Sequence, residues 1–215
     1  KTAYEIKECD WSSDVCSSDL TPDVVLYGVS AIEHLDARSL ALIQEDGLDR
    51  EHGIRIPPNT QLALIVTIEL PPHLGADDAY AQIGQWEEAS SEAPLARFCA
   101  LLAEAHVLDD VEIAVPGDTH RAAQILSIRE GVPAGVNARV GRAKHTVDDR
   151  IEKTAGDFIV PFDRFEQLVA TCEREFSTRG LDLAIWGHIS DGNIHPNLIP
   201  RSAADVVAGK EALLA

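Results

Sequence analysis

Residues 181–200 read LDLAIWGHISDGNIHPNLIP, and this stretch decides the fold. Asp191-Gly192 lies between two apolar-rich runs. Such a pair favours a two-residue type I′ turn, because both central residues of that turn need a positive φ. A turn at this place predicts an antiparallel hairpin in which His188 lies directly opposite His195.

Side chains alternate between the two faces of a strand, so the predicted hairpin has one polar and one apolar face. The polar face carries Trp186, His188, Ser190, Asn193, His195 and Asn197. The apolar face, which we expect to meet the core, carries Leu183, Ile185, Ile189, Ile194 and Leu198.

The polar face places two imidazoles side by side. His188 and His195 are close enough there to bind one divalent cation, at nitrogen–metal distances of about 2.0–2.1 Å. Two ligands hold a metal weakly, so a third would have to come from elsewhere. Two polar histidines on a solvated strand face are the alternative, and the spacing alone leaves both interpretations open.

The rest of the chain predicts an α+β fold, in which an antiparallel sheet is covered by helices on one face in a ferredoxin-like arrangement. Strands are predicted at residues 61–70, 111–115 and 158–160. Helical patterns cover 76–88, 94–105, 118–130, 161–179 and 203–215, and the stretch 31–45 has helical spacing towards its end. The Gly-rich, basic stretch 131–146 is predicted to be a loop.

Residues 1–20 read KTAYEIKECDWSSDVCSSDL and look like a translated sequencing adapter. Back-translation yields two constant adapter arms that flank an eight-base index. We therefore treat 1–20 as a non-native segment and 21–215 as the native part. Because the chain has no Met and stops within a helical pattern, we expect a fragment that is incomplete at both ends.

The composition excludes some classes of function. The chain carries 18 basic and 36 acidic residues, a net charge of −18, and the net charge is −15 without residues 1–20. Such an acidic surface argues against binding to nucleic acid or to anionic membranes. No apolar run approaches the roughly 20 residues of a membrane span. Cys99 and Cys172 are too few for a disulfide framework and suggest buried thiols of a reduced, cytoplasmic protein.

The hairpin sequence from Gly187 to Asn197, GHISDGNIHPN, resembles the GHxGDGNxHxN signature of FAD-linked oxidases of the vanillyl-alcohol-oxidase type. Within that group it is most similar to cytochrome- or quinone-linked D-lactate dehydrogenases and to glycolate oxidase flavin subunits. Two further segments agree: SIRE at 127–130, and Lys153 followed by DFIVP at 157–161. The resemblance identifies 21–215 as the C-terminal substrate, or cap, domain.

The resemblance implies roles for particular residues. His188 and His195 would be the catalytic and metal-binding histidines, for Zn, Mn or Fe. Arg129, Lys153 and Asn197 would bind the substrate, and Asn193 would contact the cofactor. The family's Glu-His-Gly segment, which would supply the third metal ligand, is expected after residue 215.

The same resemblance implies a FAD-dependent enzyme that oxidises a 2-hydroxy acid to a 2-oxo acid. An upstream domain would hold most of the FAD, and a cytochrome or quinone would reoxidise it. We expect a protein that is either cytoplasmic or peripherally bound to the inner membrane. A self-contained, non-catalytic module that binds a metal or ligand is an alternative. A zinc hydrolase that uses the histidine pair is a second alternative.

Overall fold

The computed structural model describes residues 28–88 and 90–215. The predicted non-native segment 1–20 lies outside them. The chain divides into two compact units. Among the described residues, one unit comprises 28–31, 66–88 and 90–126, and the other comprises Ile32–Ile65 and Ser127–Ala215.

Five strands in the described residues form one sheet. They are β1 (Val29–Asp36), β2 (Leu62–Ile68), β3 (Phe158–Ile159), β4 (Leu183–His188) and β5 (Asn193–Leu198). Their order across the sheet is β2-β1-β4-β5-β3. The pairs β1–β4, β4–β5 and β3–β5 are antiparallel.

Seven α-helices accompany these strands in the described residues. They are α1 (Ala37–Asp46), α2 (Leu48–Glu51), α3 (Ala76–Ile83), α4 (Pro94–Glu104), α5 (Thr119–Thr146), α6 (Phe165–Thr178) and α7 (Ala203–Leu213). An antiparallel sheet covered by helices confirms the predicted α+β class. No helix of the described part combines the length and apolar character that a membrane span requires.

Helices pack on both faces of the strands in the second unit, so the prediction of one covered face was wrong. Apolar side chains of α1 and α5 pack with Leu35 and Ala184 on one face. Cys172 of α6 packs with Ile185 and Ile194 on the opposite face. Residues on both faces of β4 and β5 are therefore buried.

The stretch 131–146 forms the second half of α5 and not the predicted loop. Val132, Val136 and Val140 recur every four residues and are 0%, 0% and 7% exposed. A proline inside a helix costs about 3 kcal/mol, and Pro133 lies within α5. Burial of a valine stripe of this length contributes a similar or larger free energy, which explains why the helix forms.

The helical spacing predicted towards the end of 31–45 is confirmed by α1. The first residues of this stretch lie in β1, and the helix begins at Ala37, where the side chain of Asp36 accepts a hydrogen bond from the Ser39 amide. The strand predicted at 111–115 was wrong. Residues 111–115 form no strand. Most of their side chains are exposed, so they lack the apolar contacts that stabilise a strand.

The hairpin register also differs from the prediction. His195 pairs with Trp186 and not with His188. Residues Ile189–Asp191 form a 3₁₀ turn and Gly192 follows with φ 76°, which makes a four-residue loop in place of a two-residue one. Ile189 and Ser190 therefore lie in the turn. Because the shift is two residues, every strand side chain keeps its predicted face.

Candidate active site

His188 and His195 are diagonal neighbours on the polar face of the hairpin. Their ring centroids are 6.0 Å apart and the rings are nearly perpendicular, at 87°. Diagonal cross-strand neighbours remain within reach of long side chains. The structure thus brings the predicted pair together, although not in direct opposition.

Glu33 in β1 contacts the first of these histidines. Its Cα is the register partner of His188, which places both side chains on the same face. Oε1 of Glu33 lies 2.8 Å from Nδ1 of His188 and 3.1 Å from Nε of Arg129. One carboxylate oxygen therefore holds an imidazole from β4 and a guanidinium from α5.

Arg129 completes a closed group of three side chains. Its Nη2 lies 3.4 Å from Nε2 of His188. The side chains of Arg129 and His188 are each 27% exposed, whereas Glu33 is 16% exposed. The cation and the imidazole are accessible to a ligand, and the carboxylate lies behind them.

The Glu33 carboxylate is stabilised in its ionised form. Burial raises its pKa, but the hydrogen bond from His188 and the nearby Arg129 cation lower it, and the net pKa is below the usual value. A buried carboxylate with two donors on one oxygen is a fixed negative charge at neutral pH.

His195 has a carboxylate partner of its own. Oδ1 of Asp157 lies 3.3 Å from Nδ1 of His195, and the Asp157 side chain is 70% exposed. Burial lowers the pKa of His195, outweighing the opposite effect of the Asp157 charge. His195 is therefore more easily kept neutral than a free histidine, as an acceptor or a metal ligand must be.

Two asparagines place polar atoms on the same strand face. Asn197 is 2% exposed, and its Nδ2 donates to the carbonyl of His195 at 2.9 Å. The side-chain oxygens of Asn193 and Asn197 are buried and accept no hydrogen bond from residues 28–88 or 90–215. An unsatisfied buried acceptor costs about 1–3 kcal/mol, so a ligand donor that reaches either oxygen would recover that free energy.

Lys153 has an exposed side chain and lies two residues before Ala155, which forms an isolated bridge with Asn197. Arg129, Asn193 and Asn197 are predicted ligand-binding residues that share the hairpin's polar face or contact its histidines. The role of Lys153 stays a prediction.

A divalent metal is not held by the described residues alone. No group of three His, Cys, Asp or Glu side chains among them is arranged to bind an ion. Protein metal sites of this kind use three or four ligands, and the histidine pair supplies two. In addition, the Arg129 cation lies beside the ring nitrogen of His188 that would face the metal.

Sequence reasoning missed Glu33 as a site residue. The sequence pattern predicts no strand around it, and its partners Arg129 and His188 follow about 100 and 155 residues later in the chain. An acidic residue within the alternating stretch VSAIEHLD of β1 was the one available signal. Asp157 was noted as part of a motif but not as a partner of His195.

Residues 20–213 match the family described as FAD linked oxidases, C-terminal domain. This match covers most of the chain, so the protein belongs to that family. It is accordingly part of a flavin-dependent oxidoreductase. A comparison with curated proteins returned no match.

Proposed function

We propose that this chain is the substrate domain of a FAD-dependent dehydrogenase that oxidises a D-2-hydroxy acid, of the D-lactate or glycolate kind, to a 2-oxo acid. FAD would be bound mainly by a domain outside residues 21–215, and Asn193 would be its contact in this chain. The family match supports a flavin-linked oxidation. The choice of substrate rests on the hairpin motif and on the chemistry of the cluster.

One observation carries the substrate proposal. Nη2 of Arg129 and Nε2 of His188 lie only 3.4 Å apart on a partly exposed surface. Arginine only donates hydrogen bonds, so it suits a carboxylate, and the neutral ring nitrogen suits a hydroxyl proton. A 2-hydroxy acid carries these two groups on adjacent carbon atoms, at a matching separation.

The proposed reaction removes two hydrogens from the substrate. Arg129 binds the carboxylate, and Nε2 of His188 accepts the hydroxyl proton. The C–H bond at the same carbon breaks, and the remaining C–O bond becomes a carbonyl. A bound FAD would supply the acceptor for the hydride. Proton and hydride together account for the conversion to the 2-oxo acid.

Metal assistance is part of this proposal only with a ligand from outside the described residues. His188 and His195 would be two of the ligands for Zn, Mn or Fe, and Arg129 would have to move aside.

Reoxidation of the flavin and the location of the enzyme complete the proposal. A cytochrome or quinone would accept the electrons. The enzyme would work in the cytoplasm or in peripheral contact with the inner membrane.

The full-length, flavin-loaded protein tests the proposal. Anaerobic addition of D-lactate, glycolate or D-2-hydroxyglutarate should bleach the flavin absorbance and yield the 2-oxo acid. His188→Ala should lower the rate of flavin reduction about 100-fold or more, the usual contribution of a general base. It should leave the absorbance of the oxidised flavin intact.

His120→Ala is the matched control, because His120 is exposed and lies in the first unit. It should reduce the flavin at the wild-type rate. If none of these hydroxy acids reduces the flavin and another class of compound does, the substrate proposal is wrong. A chain that binds no flavin domain and reacts with none of them would favour the non-catalytic module.

A further inference from the structure

We infer that Glu33 is a positioning residue. One oxygen of its carboxylate fixes which nitrogen of His188 carries the proton, and the same oxygen orients the Arg129 guanidinium. The catalytic importance of this positioning rests on the proposed function, in which His188 accepts the substrate proton and Arg129 binds the carboxylate. The geometry itself is independent of any flavin or substrate.

The hydrogen-bonding capacities of the three groups determine the tautomer of His188. An ionised carboxylate only accepts, so the nitrogen that contacts Glu33, Nδ1 of His188 at 2.8 Å, must carry a proton. A guanidinium only donates, so the nitrogen that contacts Arg129, Nε2 of His188, must present its lone pair. Both contacts select the same neutral tautomer, with the proton on Nδ1.

Glu33 also orients the guanidinium of Arg129. Its Nε donates to the same oxygen of Glu33 at 3.1 Å. A guanidinium is planar, so fixing Nε towards Glu33 and Nη2 towards His188 sets the direction of the whole fork. The edge of the guanidinium and the lone pair of Nε2 are thereby held next to each other.

Glu33 is itself held in place by the sheet. Because β1 and β4 pair with Glu33 level with His188, the backbone register holds the two side chains together. Glu33 is mostly buried behind the two partners that it holds. A rigid strand therefore supports the orienting carboxylate, as is typical of groups that position a catalytic imidazole.

Nitrogen NMR of the 215-residue chain tests the inference without a cofactor. Histidine ring nitrogens with and without a proton have distinct ¹⁵N shifts, so the tautomer of His188 can be assigned at pH 8. We expect the proton on Nδ1 in the wild-type protein. Glu33→Gln should lower the ratio of the Nδ1–H to the Nε2–H form about tenfold or more, because a charge-assisted hydrogen bond is lost.

The same variant should shift the Nε–H resonance of Arg129, since both groups share one oxygen. Glu45→Gln is the matched control. This variant also replaces a carboxylate by an amide. The Glu45 carboxylate pairs with Arg38 and Arg139, and this pairing includes no histidine. Glu45→Gln should leave the His188 ring and the Arg129 Nε–H unchanged.

A proton on Nε2 of His188 in the wild-type chain would overturn the inference, whether or not any variant folds. So would a folded Glu33→Gln chain in which the His188 tautomer ratio is unchanged. Neither result depends on the substrate. Failure of flavin reduction by hydroxy acids with the proton found on Nδ1 would refute the proposed function and leave the role of Glu33 standing.

Discussion

His34, the residue after Glu33 in β1, faces the opposite side of the sheet and is 7% exposed. Its ring packs edge-on against Phe165, with centroids 5.7 Å apart. Burial lowers the pKa of His34, and this outweighs the hydrogen bond with the Ile185 carbonyl, which raises it. The native state thus holds His34 as the neutral ring.

We expect acid to destabilise the protein through His34. The pKa is lower in the folded than in the unfolded chain, where the usual value is 6.5. The unfolded state therefore binds more protons, so this contribution to stability is complete above pH 6.5 and falls as the pH drops below it. Each unit by which the pKa is lowered corresponds to about 1.4 kcal/mol.

Urea unfolding at pH 7.5 and pH 5.5 measures this effect. His34→Gln keeps a hydrogen-bond donor but does not titrate, so it should lose less stability than wild type between the two values. The control His145→Gln changes an exposed histidine in the same unit and should behave as wild type. Equal losses in wild type and His34→Gln would contradict the expectation.

Strand alternation could group the site residues only where they lie in one local motif, and Arg129 was predicted only through the family resemblance. His188, His195, Asn193 and Asn197 fall within ten residues of each other, so strand alternation alone puts them on one face. Glu33 reaches them only through the pairing of β1 with β4. Nothing in the local sequence specifies a pairing between segments so far apart in the chain.

At the scale of elements, the turn between β4 and β5 depends on Gly192. It has φ 76°, and a Cβ at this position would overlap the carbonyl oxygen of Val160. The amide of Val160 donates to the Gly192 carbonyl at 3.1 Å, so the same glycine joins the segment after β3 to the hairpin. A side chain there would strain the turn and separate these two segments.

Gly192→Ala should lower the free energy of unfolding by about 2 kcal/mol or more, from backbone strain and the overlap with Val160. Gly141→Ala is the matched control. It lies within α5, where a new Cβ meets nothing within 4 Å, and it should stabilise the protein by about 0.5–1 kcal/mol. Thermal unfolding of the two variants should give shifts of opposite sign. Shifts of the same sign would contradict the roles assigned to the two glycines.

Elements were predictable where sequence period and packing agree. Strand 61–70 and helix 94–105 appear close to their predicted bounds, as β2 and α4. The predicted helix ended at residue 130, whereas α5 continues to Thr146. Gly131, Pro133 and Gly135 are poor helix formers, so local propensity favours an end there. The valine stripe of α5 packs against α1 and Leu35, and such tertiary contacts outweigh local propensity.

At the scale of the whole molecule, the net charge of −18 should oppose folding at neutral pH. Self-repulsion among 36 acidic groups exceeds what 18 basic groups can offset. Salt at about 0.15 M largely screens the repulsion between exposed charges that are more than about 8 Å apart. Raising NaCl from 10 to about 150 mM at pH 7.5 should therefore raise the melting temperature by a few degrees.

The same measurement near the sequence pI of about 4.7 is the control. With a net charge close to zero, the repulsion is absent and salt can only weaken favourable pairs such as Arg139 with Asp46. The melting temperature should then stay constant or fall. A rise of equal size at both pH values would show that salt acts by another route.

The fold class could be predicted from sequence because alternating helix and strand patterns sum over the whole chain. Coverage of both sheet faces could not, because it depends on where α5 and α6 pack. The family assignment rests on a match over residues 20–213. The substrate proposal depends on a few side chains around one hairpin.

The loop at residues 189–192 has a consequence for insertions and deletions. Lengthening or shortening it by two residues leaves His188, His195 and Asn197 on one surface. A one-residue change taken up by a register slip would exchange the two faces of one strand. The imidazole of that strand would then point towards α6, among Ile185 and Ile194. Functional length variants of this hairpin should therefore differ by even numbers of residues.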